Sequence, residues 1–202
     1  YFQKANVLLI HIPKCGWSSI EDYFIDNIQK QHNMNTLLSR SDKVHVNDHT
    51  PQHCTYTELY ERREDYKINF DTVTIIASVR RPYDRLISDL FFLHILNVDD
   101  TPNIVEEKIR NYLNSRNTHD NHKIKQIDYL LFNRKIPSKI KIIKTENLTD
   151  DMHELGFLDF NVNSNVTHKG EIDYMSYYNR ESLNLVNMYY ASDFVYFGYT
   201  ML

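Results

Sequence analysis

The run Ala5-Asn6-Val7-Leu8-Leu9-Ile10 passes through a short lysine-bearing turn straight into residues with helical spacing, and few folds accommodate that junction. The run is short, apolar and β-branched, as a strand buried on both faces of a parallel sheet should be. It continues as His11-Ile12-Pro13-Lys14-Cys15-Gly16-Trp17-Ser18-Ser19-Ile20, after which Trp17, Ile20, Phe24 and Ile28 fall at near-helical intervals. A helix beginning there points the unpaired N–H groups of its first turn back at the turn. With the helix dipole, the Lys14 ammonium and the hydroxyls of Ser18 and Ser19, those groups make a seat for a phosphate or sulfonate. The bland alternative is an ordinary strand–turn–helix corner with a surface lysine.

A nucleotide loop of the Gly-x-x-x-x-Gly-Lys-Ser/Thr type carries its lysine late, beside a hydroxyl for magnesium. Here the lysine comes first, which disfavours an ATP-dependent kinase without removing it. A second segment strengthens the anion reading. Val73-Thr74-Ile75-Ile76-Ala77-Ser78-Val79 is another buried-strand run, and Arg80-Arg81-Pro82-Tyr83-Asp84-Arg85-Leu86-Ile87-Ser88 follows at once. Pro82 suits the first position of a helix. Arg80 then lies at the strand's carboxyl end, with Arg85 and Ser88 three apart on one helical face. A planar guanidinium binds phosphate through parallel, charge-assisted hydrogen bonds. Arg85 is equally readable as a structural partner of a carboxylate. Ligands of open α/β sheets collect at the carboxyl ends of strands near a topological switch point, so the two motifs are expected to face one site there.

Pro13-Lys14-Cys15-Gly16-Trp17-Ser18-Ser19 resembles the 5′-phosphosulfate loop of sulfotransferases that use 3′-phosphoadenosine 5′-phosphosulfate (PAPS), commonly Pro-Lys-Thr-Gly-Gly-Thr-Ser. With His-Ile-Pro ahead of the lysine it is similar to the carbohydrate branch, the Golgi-type enzymes of heparan and chondroitin. Cys15 stands for threonine, Trp17 for glycine and Ser18 for threonine. Arg80 to Ser88 resembles the family's 3′-phosphate segment, Arg-x-Pro-x-x-Arg-x-x-Ser. The likeness continues through Gln126-Ile127-Asp128-Tyr129-Leu130, Glu146-Asn147-Leu148 and the closing Tyr189-Tyr190-x-x-Asp193-Phe194-x-x-Phe197-Gly198-Tyr199.

The resemblance implies a P-loop-NTPase-like three-layer α/β fold, with a central parallel sheet flanked by helices, as a single domain over 4–202. It implies PAPS as donor, 3′-phosphoadenosine 5′-phosphate (PAP) as product, and no metal. Lys14, Cys15, Gly16, Trp17, Ser18, Ser19, Arg80 and Ser88 would hold the nucleotide, with Lys169 in the turn Thr167-His168-Lys169-Gly170 as a clamp. Glu146 would be a structural partner. Lys14 would offset charge on the leaving group.

An acceptor hydroxyl needs a base, and histidine is the usual choice near neutral pH. His53-Cys54-Thr55-Tyr56-Thr57-Glu58-Leu59 is similar to the family's histidine followed by a threonine or tyrosine and then Glu-Leu, so His53 is the candidate base, with His49 and a carboxylate as rivals and His45 also between the motifs. Asp48, His49, His53 and Cys54 match no common zinc spacing. His11 reads as a packed or loop-bracing histidine.

Composition narrows the partners. With 202 residues, 42% hydrophobic, the chain suits one α/β domain; its formal charge of −4 does not suit broad polyanion or nucleic-acid binding. The resemblance, not composition, implies a glycan hydroxyl as acceptor, with a lipid or small metabolite still open; oligomeric state is unreadable. Residues 97–125 are polar and Asn-rich, with a helix start at Thr101-Pro102, and are expected to cover the acceptor side. Leu183, Val186 and Tyr190 form a helical stripe expected to pack on the sheet. No apolar run reaches 18 residues, so a soluble chain is expected, cytoplasmic or, if trimmed from a longer protein, in the Golgi lumen. Tyr1-Phe2-Gln3 looks like a protease-site remnant and is set aside from fold reasoning. Asn147-Leu148-Thr149 and Asn165-Val166-Thr167 match glycosylation triplets. A nucleotide-binding module that has lost catalysis is the remaining alternative.

Overall fold

The computed structural model describes residues 1–29, 49–161 and 173–202. Three strands, β1 (Val7–Ile10), β2 (Thr74–Val79) and β3 (Ile140–Lys144), form a parallel sheet in the order β1-β2-β3. Leu8 pairs with Ile75, and Ala77 with Ile142. Strand order follows chain order, so there is no switch point between the described strands. The two motif loops meet for a simpler reason: they leave the same ends of hydrogen-bonded neighbours, roughly 5 Å apart.

Both faces of the sheet are covered, as the unbroken apolar runs require. Leu8, Ile10, Ile75, Ala77 and Val79 pack against α2 (Tyr56–Glu61), α5 (Gln126–Leu130) and α8 (Ala191–Phe197) through Tyr56, Leu59, Ile127, Leu130 and Phe197. Their neighbours Val7, Leu9 and Ile76, with Ile143 of β3, face α1 (Trp17–Tyr23) and α6 (Leu148–Glu154) through Ile20, Leu148 and Met152. The period of two thus builds a three-layer α/β arrangement. Phe2 belongs to the second face: it is 2% exposed, stacks on Phe24 at 4.8 Å and pairs with Val7 across a backbone bridge. Setting the first residues aside therefore omitted a core side chain.

A second, helical cluster joins α3 (Pro82–Phe92), α4 (Pro102–Asn114) and α7 (Arg180–Tyr189) through Leu86, Leu90, Val105, Ile109, Val186 and Tyr190. The Leu183, Val186 and Tyr190 stripe packs here and not on the sheet. Periodicity tells which face of a helix is apolar, but not which element covers it. The polar 97–125 segment contains α4 and then a loop whose Asn121, His122 and Lys123 are buried. Among the described residues no helix is long and apolar enough to cross a membrane.

Candidate functional site

The lysine-bearing turn leaves β1 and enters α1 through two left-handed residues, Lys14 (φ 66°) and Gly16 (φ 74°). Among the described residues, the amides of Cys15 through Ser19 donate to no protein acceptor, so the turn and the first turn of α1 present a row of free N–H groups. Gly16 is required here for two reasons. Its backbone is left-handed, and a Cβ would lie 3.2 Å from Leu148 Cδ2 and 3.3 Å from Thr145 Cγ2. Gly16→Ala is expected to destabilise the fold by about 1–2 kcal/mol and to weaken anion binding. Thermal denaturation and nucleotide titration read the two effects separately.

The side chains of the turn divide. The Cys15 thiol is 1% exposed and faces inward, donating to Gln126 Oε1 at 3.3 Å, and burial pushes it up to about 12. The substituted threonine is thus no missing ligand on the open side; only the Cys15 amide faces the seat. Trp17 turns its indole onto His11, with ring centres 4.1 Å apart, and donates from Nε1 to Glu21 at 2.7 Å. Its bulk is parked away from the row of amides. Ser18 is exposed and Ser19 half-buried at the helix start. The Lys14 ammonium lies 4.4 Å from the centre of the Phe92 ring. Burial lowers its pKa, opposed by the carboxylate of Asp89.

Arg80, at the carboxyl end of β2, donates from Nη1 to the Lys14 carbonyl at 3.2 Å, which joins the two motifs directly. Its other guanidinium hydrogens meet no acceptor among the described residues, and its charge lies 5.1 Å from the Tyr174 ring centre. Ser88, one and a half turns into α3, is half-buried with its hydroxyl unpaired among the described residues. Arg85 is a brace: 3% exposed, it donates to the carbonyls of Pro13 (3.1 Å), Ile124 (3.0 Å) and His122 (2.6 Å). The structural reading of Arg85 is therefore the observed one, with carbonyls as its hydrogen-bond partners in place of a carboxylate. Arg81 forks onto Asp84 at 2.8 and 2.9 Å, while its amide and the Tyr199 hydroxyl both donate to Glu146. Glu146 is thus a structural partner, as expected.

Two positions that sequence reasoning underused hold this frame. Gln126 accepts from the Arg80 amide at 2.8 Å and donates to the Arg80 carbonyl at 2.9 Å. The fully buried Asp193 accepts from the amides of Gln126 and Ile127, capping α5.

The histidines separate into a brace and an available base. His49 uses both nitrogens, Nδ1 with the Thr50 carbonyl at 2.9 Å and Nε2 with Glu58 at 3.0 Å. Burial disfavours its charge, but Glu58 outweighs this and raises its pKa; Glu58, against burial, is drawn down to about 2. His53, 2% exposed, bonds Asp120 through Nδ1 at 2.9 Å, and Asp120 in turn accepts from the hydroxyl of Thr50. Burial, with neighbouring His122, lowers the pKa of His53, against the pull of Asp120. Next to it, with ring centres 4.8 Å apart, stands His122, stacked on Phe92 at 5.3 Å and bonded through Nδ1 to the buried carboxylate of Asp89. Among the described residues, neither His53 Nε2 nor His122 Nε2 has a hydrogen-bond partner.

His122, Asp120, Asp89 and Phe92 were not singled out from the sequence. The one local signal was the run His119-Asp120-Asn121-His122, whose Asp and Asn tolerate the left-handed backbone found at Asp120 (φ 58°) and Asn121 (φ 66°). His45, Lys169 and the Asn165 triplet lie outside the described residues. Among known families, the model of the sulfotransferase family matches residues 1–136. Neither a curated protein nor a solved structure matches the chain.

Proposed function

Because this chain belongs to the sulfotransferase family, we propose that it transfers the sulfuryl group of PAPS to a hydroxyl, on a carbohydrate acceptor, with His53 as base. The observation that carries the reading is the 3.2 Å tie between Arg80 and the Lys14 carbonyl, with unfilled donors on both sides of it. One side offers the amides of Cys15 through Ser19, the other the free guanidinium edge of Arg80 and the hydroxyl of Ser88. A nucleotide with an anion at each end fits that pair, and a lone phosphate leaves half of it unused. The parallel sheet beneath, covered on both faces, is in keeping with a P-loop-like fold.

PAPS supplies an activated sulfonate whose departing group is a phosphate. The residues do the rest. The amides of the turn and the Lys14 ammonium would meet the negative charge that accumulates on the departing oxygen, and the amides are oriented before it does. Arg80 and Ser88 grip the far phosphate, and so convert remote binding into alignment for in-line attack. Asp120 fixes the His53 ring, leaving Nε2 to accept the hydroxyl proton as the new O–S bond forms. Burial keeps His53 neutral, the state a base requires.

Calorimetric titration with PAP and with ATP, beside transfer of labelled sulfate from PAPS to desulfated glycans, tests this. PAP should bind far more tightly than ATP, and Lys14→Ala should lower kcat by about 10²–10³-fold. Equal binding of ATP, or PAP binding with no transfer to any glycan, overturns the assignment; the second outcome would mark a nucleotide-binding module without catalysis.

A further inference from the structure

Resting on that reading, we propose that His122, oriented by Asp89, is a second catalytic residue of the acceptor site, its Nε2 contacting the hydroxyl-bearing acceptor beside His53. The placement comes from three elements. Helix α3 ends with Ser88, Asp89 and Phe92, so one helix carries a nucleotide-facing hydroxyl, the carboxylate behind His122 and the ring on which His122 stacks. The Tyr112 hydroxyl of α4 donates to the second oxygen of Asp89 at 2.7 Å, and Arg85 holds the His122 carbonyl at 2.6 Å. The His122 ring is therefore fixed at its backbone, its Nδ1 and one face. That leaves Nε2 as its one unpaired polar atom among the described residues, on a ring whose centre lies 4.8 Å from that of His53. A core histidine has both nitrogens satisfied, as His49 does here. Two carboxylate-backed imidazoles with their outer nitrogens open, next to the ring that carries the Lys14 ammonium, form a reactive arrangement.

Asp89 stays ionised although buried, because the hydrogen bond and charge of His122 and the charge of Arg85 outweigh desolvation. The titratable and charged groups around His122 are Asp89 and Arg85 on α3, Tyr112 on α4, His119, Asp120 and Lys123 in its own loop, and His53 and Lys14 opposite. In the step itself, the acceptor oxygen forms the O–S bond and gives its proton to His53 Nε2, while the S–O bond to the departing phosphate breaks and its electron pair stays with that phosphate. His122, whose Nδ1–H is donated to Asp89, accepts at Nε2 from a neighbouring hydroxyl of the glycan and so holds the attacking oxygen in line.

The test compares wild type with His122→Ala, His122→Asn and Asp89→Asn. It measures kcat and KM for labelled sulfate transfer to desulfated glycans over about pH 5 to 9, with PAP affinity and thermal stability on the same samples. His122→Ala is expected to lower kcat/KM for the glycan about 100-fold with PAP affinity kept within about twofold. Asp89→Asn should lower it about tenfold or more, because the amide no longer selects one ring tautomer. His122→Asn, which can still hydrogen-bond Asp89 but lacks Nε2, should lose activity to a similar degree while staying folded. Unchanged kcat/KM in His122→Ala and His122→Asn, or a loss of activity that merely tracks lost PAP affinity or folded fraction, overturns the proposal. Wild type that binds PAP and sulfates no glycan removes the underlying reading instead, and this one with it.

Discussion

Arg85→Met is expected to cost about 4 kcal/mol of folding stability, more than any surface change, and to lower the melting temperature by roughly 10 °C. Methionine fills much of the same space, so the cost is polar. The substitution strands the carbonyls of Pro13, Ile124 and His122, each worth about 1–3 kcal/mol when buried without a donor, though not additively. It also removes a cation from the vicinity of ionised Asp89. Arg85→Lys keeps the charge but replaces a rigid fork by a single ammonium, and should recover only part of the loss. Chemical denaturation followed by fluorescence measures both. If Arg85 were a nucleotide ligand instead, Arg85→Met would weaken PAP binding while leaving the melting temperature in place. The geometry predicts the reverse order of effects, since all three carbonyls belong to the loops that shape the site and none lies on the open side.

How far this could be read from the sequence depends on the range over which each signal acts. The strand at Val7–Ile10, the turn at Lys14–Gly16, the helix start at Pro82 and the position of Arg80 are local, and the residues that dictate them are contiguous. The resemblance to sulfotransferases rests on those same stretches, and the family match covers them. The acid–base half of the site is not local. His53 finds Asp120 across 67 positions, and His122 finds Asp89 across 33, so no periodicity or spacing rule connects them. Cys15 shows a different gap: the side-chain type was legible, but the sign of its effect depends on which way the turn faces. With Gln126 beneath it, the thiol points into the core, and the substitution leaves the amides on the open side untouched. The α7 stripe was correctly apolar and wrongly placed, because α3 and α4 offer a covering surface that only the tertiary fold creates.

His53→Ala is expected to lower kcat by about 10²–10⁴-fold while PAP still binds, since the imidazole meets the acceptor and not the nucleotide. The shape of the pH profile makes the assignment specific. Burial lowers the pKa of His53 below its ordinary 6.5, so the wild-type rate should climb on the acid side of that value and be level through neutrality. Stability should carry the same group's signature. A histidine that resists protonation when folded but accepts a proton near pH 6.5 when unfolded contributes stability that is complete above 6.5 and is lost as pH falls below it. His49 has the opposite sign: Glu58 raises its pKa, so its contribution is complete below 6.5 and is lost as pH rises through its higher folded value. His53→Gln should therefore reduce the acid sensitivity of folding, and His49→Gln should increase it, in denaturant titrations run over about pH 5 to 8. Loss of catalysis in His49→Gln with full activity in His53→Gln would exchange the two roles. The geometry argues against that exchange, because His49 has no nitrogen left to take a proton and His53 has one.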